Sequence, residues 1–199
     1  MRGLIAFLIW VLCGVRARWQ GCEPTERQRI YFANHTSHLD AAVLWAALPP
    51  VLRVRTRPIA ARDYWAASRV KLWLAEKVFN ALLIERRKVT AHENPLKDMM
   101  GALDAGDSLI LFPEGTRSSS QEPQAFKSGL FHLAKRCPQV EFIPVCLENL
   151  NRILPKGEIL PVPLLGSVTI GAPIQLEPGE TRDSFLERAR QAVWNLHRT

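Results

Sequence analysis

Apolar positions along the chain recur with two different periods, and the elements follow from them. Gly3 to Val15 is an unbroken apolar run that predicts a helix, with Arg2 before it and Arg16 and Arg18 after it. Val15 to Trp19 alternates with period two, as a strand does. Arg29 to Ala33 is a short apolar run that predicts a buried strand ending at Asn34, and Ser37 to Leu48 predicts a helix stopped by Pro49 and Pro50. Val51 to Ala60, rich in β-branched and basic residues, predicts another strand. Trp65, Leu72 and Phe79 recur every seven residues, with Val70 and Trp73 beside them, so one basic amphipathic helix is expected from an Asp63 cap to Leu82. Further along, Pro95 to Ala105 predicts a helix closed by Gly106. Ser108 to Phe112 predicts a buried strand, Ser128 to Lys135 a helix, and Glu141 to Leu147 a strand ending near Pro144. Ser167 to Ile170 predicts a late strand and Phe185 to Leu196 an amphipathic helix.

Strands alternating with helices predict an α/β fold: a single domain over 15–199 with a mostly parallel or mixed sheet flanked by helices, preceded by a short apolar helix over 1–14. The chain's 199 residues suit one such core, and no repeat or low-complexity tract interrupts it. The apolar run is too short to span a bilayer, which takes about 20 residues. The arginines directly behind it do not fit a signal-peptide cleavage site. Trp10, Trp19 and the arginines favour a helix lying in the membrane interface; a buried core helix is the other reading.

Charge sharpens this picture. The net charge is +7, and residues 51–90 carry all of it: Arg53, Arg55, Arg57, Arg62, Arg69, Lys71, Lys77, Arg86, Arg87 and Lys88 stand against Asp63, Glu76 and Glu85. A local basic patch calls for an anionic partner, whether phosphate, nucleic acid or acidic lipid, or else is a solvated face. Aromatic-basic motifs of nucleic-acid recognition are lacking, so nucleic acid is not expected. Cys13, Cys22, Cys137 and Cys146 show no paired-ligand spacing and are expected to be reduced thiols in a cytosolic compartment.

Two segments carry chemistry. The first is Asn34-His35-Thr36-Ser37-His38-Leu39-Asp40, directly after a buried strand, where reactive groups collect in such sheets. A turn at Thr36 brings the Asp40 carboxylate under the His35 imidazole. The carboxylate then fixes the tautomer, and the other ring nitrogen is free to take a proton. Three alternatives stand beside this dyad: a metal site of His35, His38 and Asp40, a nucleophile at Thr36 or Ser37, and purely structural histidines. The second segment is Phe112-Pro113-Glu114-Gly115-Thr116-Arg117-Ser118, again after a strand. Gly115 permits close backbone approach, Thr116 and Ser118 supply hydroxyls, and the Arg117 fork matches phosphate oxygens. Lys127, near a helix start, adds charge. Arg86, or Arg87 beside it, ends the apolar run of Leu83-Ile84 and is placed to meet an anion.

Together these blocks resemble the glycerolipid acyltransferase family typified by bacterial 1-acyl-glycerol-3-phosphate acyltransferase. H-x-x-x-x-D is His35 to Asp40, an arginine block is Ile84-Glu85-Arg86, F-P-E-G-T-R-S is matched in full by Phe112 to Ser118, and the proline-bearing strand is Phe142-Ile143-Pro144-Val145. The chain departs from the family in carrying Glu85 where Asp is more usual, and in its reduced N-terminal region. The resemblance, covering Val15 to Ile174, implies that His35 and Asp40 deprotonate a lysophospholipid hydroxyl. The hydroxyl then attacks an acyl-CoA or acyl-carrier-protein thioester without a covalent acyl-enzyme, metal or cofactor. It further implies that Glu114, Gly115, Thr116, Arg117 and Arg86 hold the acceptor's phosphate and glycerol, and that Pro144 shapes the acyl-binding region. The acceptor most expected is 1-acyl-glycerol-3-phosphate; a lyso-ornithine lipid, another lysophospholipid and glycerol-3-phosphate are alternatives, and a metal-dependent hydrolase is a rival class. An anionic membrane surface on the cytoplasmic face, with peripheral or monotopic attachment, completes the expectation.

Overall fold

The structure is a computed structural model and describes residues 2–85, 94–120, 122–150 and 166–198. Seven strands form one sheet: β1 (Arg16–Trp19), β2 (Arg29–Ala33), β3 (Thr56–Ala61), β4 (Leu82–Ile84), β5 (Ser108–Leu111), β6 (Glu141–Glu148) and β7 (Ser167–Ile170), in the order β1-β7-β6-β2-β5-β3-β4. β6, β2, β5, β3 and β4 are mutually parallel; β7 runs antiparallel to β6, and β1 pairs parallel with β7. The sheet is therefore mixed, as the sequence pattern predicts.

The helices divide between the two faces. α1 (Arg2–Cys13), α2 (Asp40–Ala47) and α3 (Pro50–Val54) pack on one face, with Trp45, Leu44 and Val43 against Tyr31, Ala33 and Val145. α6 (Pro95–Asp104), α7 (Gly129–Arg136) and α8 (Arg182–Asn195) cover the other, with Met99, Leu130 and Phe185 against Ile30, Phe32 and Phe142. All five residues of β2 are buried because alternate side chains enter alternate cores, which is why this strand reads as a continuous apolar run. The chain leaves β2 through α2 and leaves its neighbour β5 through α7, so the two connections go to opposite faces. That makes the gap between the carboxyl ends of β2 and β5 a topological switch point, the place where open α/β sheets put their sites.

Several expected elements take a different form. The helix expected over 63–82 is broken into α4 (Arg62–Trp65), α5 (Arg69–Trp73) and a π-helical stretch Leu74–Val78, and Leu82 opens β4 instead. Ser68 has extended backbone (φ −146°, ψ 139°), which interrupts the helix, and the Asp63 side chain meets the adjacent Tyr64 N–H rather than capping. The strand expected over 51–60 starts late because Pro50 begins α3 at a position proline favours. The helix expected from Ser37 starts at Asp40. Pro144 does not end its strand: β6 continues to Glu148, and Pro144 sits between the Val145–Ile170 pair and the bridge of Phe142 to Ile174, where pairing with the neighbouring chain loosens.

α1 rests on α2 through Ala6 and Cys13, which are buried, with Ile5 and Ile9 partly so. Leu4, Phe7, Leu8, Trp10, Val11 and Leu12 on the same helix remain 47% to 63% exposed. No helix among the described residues is long and apolar enough to cross a membrane.

Candidate active site

His35 lies two residues past β2, and its position is fixed from both sides. The preceding Asn34 is buried and exchanges two hydrogen bonds with the Leu147 backbone of β6: its Nδ2 donates to the carbonyl (2.9 Å) and its Oδ1 accepts from the N–H (2.8 Å). On the other side, Asp40 opens α2 and turns its carboxylate back over the loop. Asp40 Oδ2 lies 2.8 Å from His35 Nδ1 and also accepts the backbone N–H groups of Thr36 (2.6 Å) and Ser37 (2.8 Å). Three donors on one oxygen lock the loop into a ring, so the five-residue spacing of His35 and Asp40 is what the geometry needs. Asp40 is fully buried, whereas the His35 side chain is 16% exposed. With Nδ1 held, Nε2 is the nitrogen left to exchange a proton with a bound molecule. Asp40 Oδ1 is buried and meets no donor among the described residues.

The second segment is tied to the first. Glu114 is 3% exposed; its Oε1 accepts the His35 backbone N–H (2.8 Å) and its Oε2 that of Gln124 (3.1 Å). The Ser118 N–H donates to the His35 carbonyl (2.8 Å). Burial pushes the Glu114 carboxyl above its usual pKa, while its two backbone donors pull the other way. Both oxygens are thus occupied from within the protein. The sequence placed Glu114 against the acceptor; the structure makes it a brace between the two loops. Phe112 stacks on the His35 ring, with centroids 4.4 Å apart and planes 25° apart.

A cleft of about 420 Å³ opens at the carboxyl ends of β2, β3, β4 and β5. It gathers His35 with Gly115, Thr116 and Arg117 of the second segment and with Lys127, and its wall is apolar, with Ile59, Trp65, Ile84, Met99, Leu111 and Leu130. Gly115 takes φ +71°, and the Lys127 side chain crosses where its side chain would stand, with Cδ 2.9 Å from an ideal Cβ. That close approach brings an ammonium onto the loop backbone. Thr116 and Arg117 are exposed beside it. The combination of fixed backbone, Arg117 and Lys127 is suited to a phosphate.

Of the other expected residues, Arg86 and its neighbour Arg87 lie outside the described residues. Pro144 is buried in β6 and does not line the cleft; it packs toward Gly171, whose N–H donates to its carbonyl (2.9 Å). Ser37 is buried with its hydroxyl toward the Leu39 N–H, which leaves it poorly placed as a nucleophile. Among the described residues, no three His, Cys, Asp or Glu side chains are grouped to hold a metal ion. Asn34 and Phe112 open the two segments, but their roles as anchor and stacking partner do not follow from the motif alone. Tyr64 and Trp65 carry no motif, and the seven-residue spacing of Trp65 points only to a helix core.

Three comparisons place the chain among known proteins. A family model described as Acyltransferase matches residues 17–148. The 1-acyl-sn-glycerol-3-phosphate acyltransferase of Limnanthes douglasii is 29% identical over 166 residues, covering 79% of this chain and 54% of that protein. The 1-acyl-sn-glycerol-3-phosphate acyltransferase alpha of Mus musculus is 31% identical over 152 residues, covering 74% and 50%. This chain thus spans about half the length of these curated relatives. The crystal structure of the 1-acyl-sn-glycerophosphate (LPA) acyltransferase PlsC from Thermotoga maritima superposes with a TM-score of 0.77 at 20% identity, covering 99% of this chain and 77% of that one, a likeness of fold.

Proposed function

Because the chain belongs to the acyltransferase family, we propose that it moves a fatty acyl group from a thioester to the free hydroxyl of 1-acyl-glycerol-3-phosphate, giving phosphatidic acid. The observation that carries this reading is the joining of the two segments: the His35–Asp40 pair and a cationic glycine loop share one cleft and are bonded to each other.

In this reading Nε2 of His35 takes the hydroxyl proton as the oxygen attacks the thioester carbonyl. Asp40 holds Nδ1–H and stabilises the imidazolium that forms; general-base help of this kind contributes about 10²–10⁴ in rate. The C–S bond then breaks, and the leaving thiolate recovers the proton from His35. Arg117, Lys127 and the Gly115–Thr116 backbone hold the acceptor phosphate, and the apolar wall takes hydrocarbon. Acyl-CoA or acyl-carrier protein serves as donor, and no metal or further cofactor is called for.

The acceptor is a membrane lipid, and the surface of the protein suits a bilayer. The apolar face of α1, with Phe7 and Trp10 stacked at its centre, lies in the interface, and Val70, Trp73 and Arg69 of α5 add a second contact of mixed apolar and basic character. Attachment is peripheral or monotopic, on the cytoplasmic face.

The test is an acceptor panel. Purified protein is mixed in liposomes with a long-chain acyl-CoA or acyl-carrier protein and with lysophosphatidic acid, lysophosphatidylcholine or glycerol-3-phosphate, and products are followed by mass spectrometry. Phosphatidic acid from lysophosphatidic acid in clear excess over other products is expected. No acylated product from any acceptor would overturn the reading.

A further inference from the structure

A transfer reaction needs two anchored substrates, and the loop at 113–118 accounts for one. The part of the cleft built by the loop after β2 and by α4 carries a different set of groups. His38 and Tyr64 both line the cleft and stack with centroids 5.2 Å apart and planes 20° apart. The Lys71 ammonium, from α5, lies 4.2 Å from the centre of the Tyr64 ring, and Trp65 meets the same ring edge-on. Three elements thus bring a cation and two flat rings to one rim.

The lysine is not engaged as Arg53, Arg57 and Arg62 are. Arg53 donates to three carbonyls at the end of α2, Arg57 pairs with Asp107, and Arg62 pairs with Glu85. Lys71 has no carboxylate partner among the described residues; it rests on an aromatic face, a weak hold at an exposed site. Its flexible stem lets the ammonium move to a stronger anion at small cost. Burial lowers the His38 pKa first of all, and Arg117, His35 and Lys71 push it the same way against the pull of Asp40.

We propose that His38, Tyr64 and Lys71 form the docking subsite for the acyl donor, in which Lys71 binds the phosphate of the phosphopantetheine arm and the stacked rings of His38 and Tyr64 support the amide-bearing arm that leads to the thioester. This rests on the acyl-transfer reading above. Acceptor and donor phosphates are then held by separate cations, with the thioester and the hydroxyl converging on His35. The arm is the part common to coenzyme A and carrier protein, so the subsite serves either source.

Two measurements test it. The first is equilibrium binding of two non-reactive thioethers, an alkyl-CoA and an alkyl phosphopantetheine lacking the nucleotide, to the wild type, Lys71→Met and Lys71→Arg. Loss of one charge-assisted contact predicts that both ligands bind Lys71→Met roughly tenfold more weakly, with Lys71→Arg close to wild type. The second is steady-state kinetics with acyl-CoA and acyl-carrier protein: KM for both donors rises in Lys71→Met and in His38→Ala, while KM for lysophosphatidic acid stays within about twofold. Unchanged thioether binding in Lys71→Met, or no thioether binding by the wild type, overturns the subsite. Weakening confined to the CoA ligand also overturns it, because the contact would then be to the nucleotide phosphates. Thioether binding that depends on Lys71, in a wild type that acylates no acceptor, would uphold the subsite and sink the acyl-transfer reading instead.

Discussion

The backbone N–H of His35 donates to Glu114 Oε1 at 2.8 Å, joining two residues 79 positions apart. The bond ties the orientation of the histidine loop to the loop that faces it, so the Glu114 carboxylate governs where the imidazole stands. Glu114 sits there at a cost, because burial disfavours its charged form.

That cost has a pH signature. A carboxyl whose pKa is higher in the folded than in the unfolded protein contributes stability that is fully present below the unfolded pKa and is lost as pH rises through the folded pKa. Glu114→Gln removes this titration. Urea unfolding should therefore show the variant gaining stability relative to wild type as pH rises from about 4 through the raised pKa of the folded-state carboxyl. A stability difference that is constant over that range would show that Glu114 is not strained by burial.

Asp40→Asn separates charge from shape. The side-chain oxygen can still accept from His35 and from the Thr36 and Ser37 N–H groups, and its amide nitrogen then stands at the position of Oδ1, which has no donor to displace. The fold should survive, with circular dichroism and melting near wild type. The acylation rate should fall by about 10²–10⁴, because the imidazolium loses its counter-charge.

Gly115→Ala strikes the phosphate loop. Its φ of +71° costs a non-glycine residue about 1–2 kcal/mol. The new methyl also meets the Lys127 stem and displaces the ammonium. KM for the acceptor should rise with the loss of stability, measured by kinetics and thermal melting together. An unchanged KM would remove Lys127 from acceptor binding.

The apolar face of α1 predicts how the protein sits on lipid. Phe7→Asp and Trp10→Asp change residues that are more than half exposed, so the fold should tolerate them. Flotation with liposomes containing anionic lipid should drop sharply in both. Wild-type flotation should weaken at high salt, as the basic groups of α5 are screened. Salt-insensitive flotation would assign attachment to α1 alone.

Local pattern made much of this fold legible. β2 and β7 begin and end where the pattern of the sequence places them, and in β2 burial on both faces leaves Ile30 to Ala33 without a polar interruption. The seven-residue recurrence of Trp65, Leu72 and Phe79 was misleading. Trp65 and Phe79 do pack together, with ring centroids 6.3 Å apart, but through a turn and a π-helical stretch rather than one continuous helix. Spacing reports that residues share a core, not the path between them. In the site, the His35–Asp40 contact was readable because both partners belong to one loop. The turning inward of Glu114 was not, since it depends on β2 and β5 being neighbours in the sheet. The rim of Tyr64 and Lys71 was hidden in the same way, by the break between α4 and α5.

The central claim is that Nε2 of His35 removes the acceptor's proton. The most direct measurement is phosphatidic acid formation from lysophosphatidic acid and a long-chain acyl-CoA in liposomes, by wild type and His35→Ala side by side, with thermal melting to confirm that the variant is folded. Product from the wild type and a rate at least about a hundredfold lower from the folded variant are expected. Equal rates from the two proteins would contradict it.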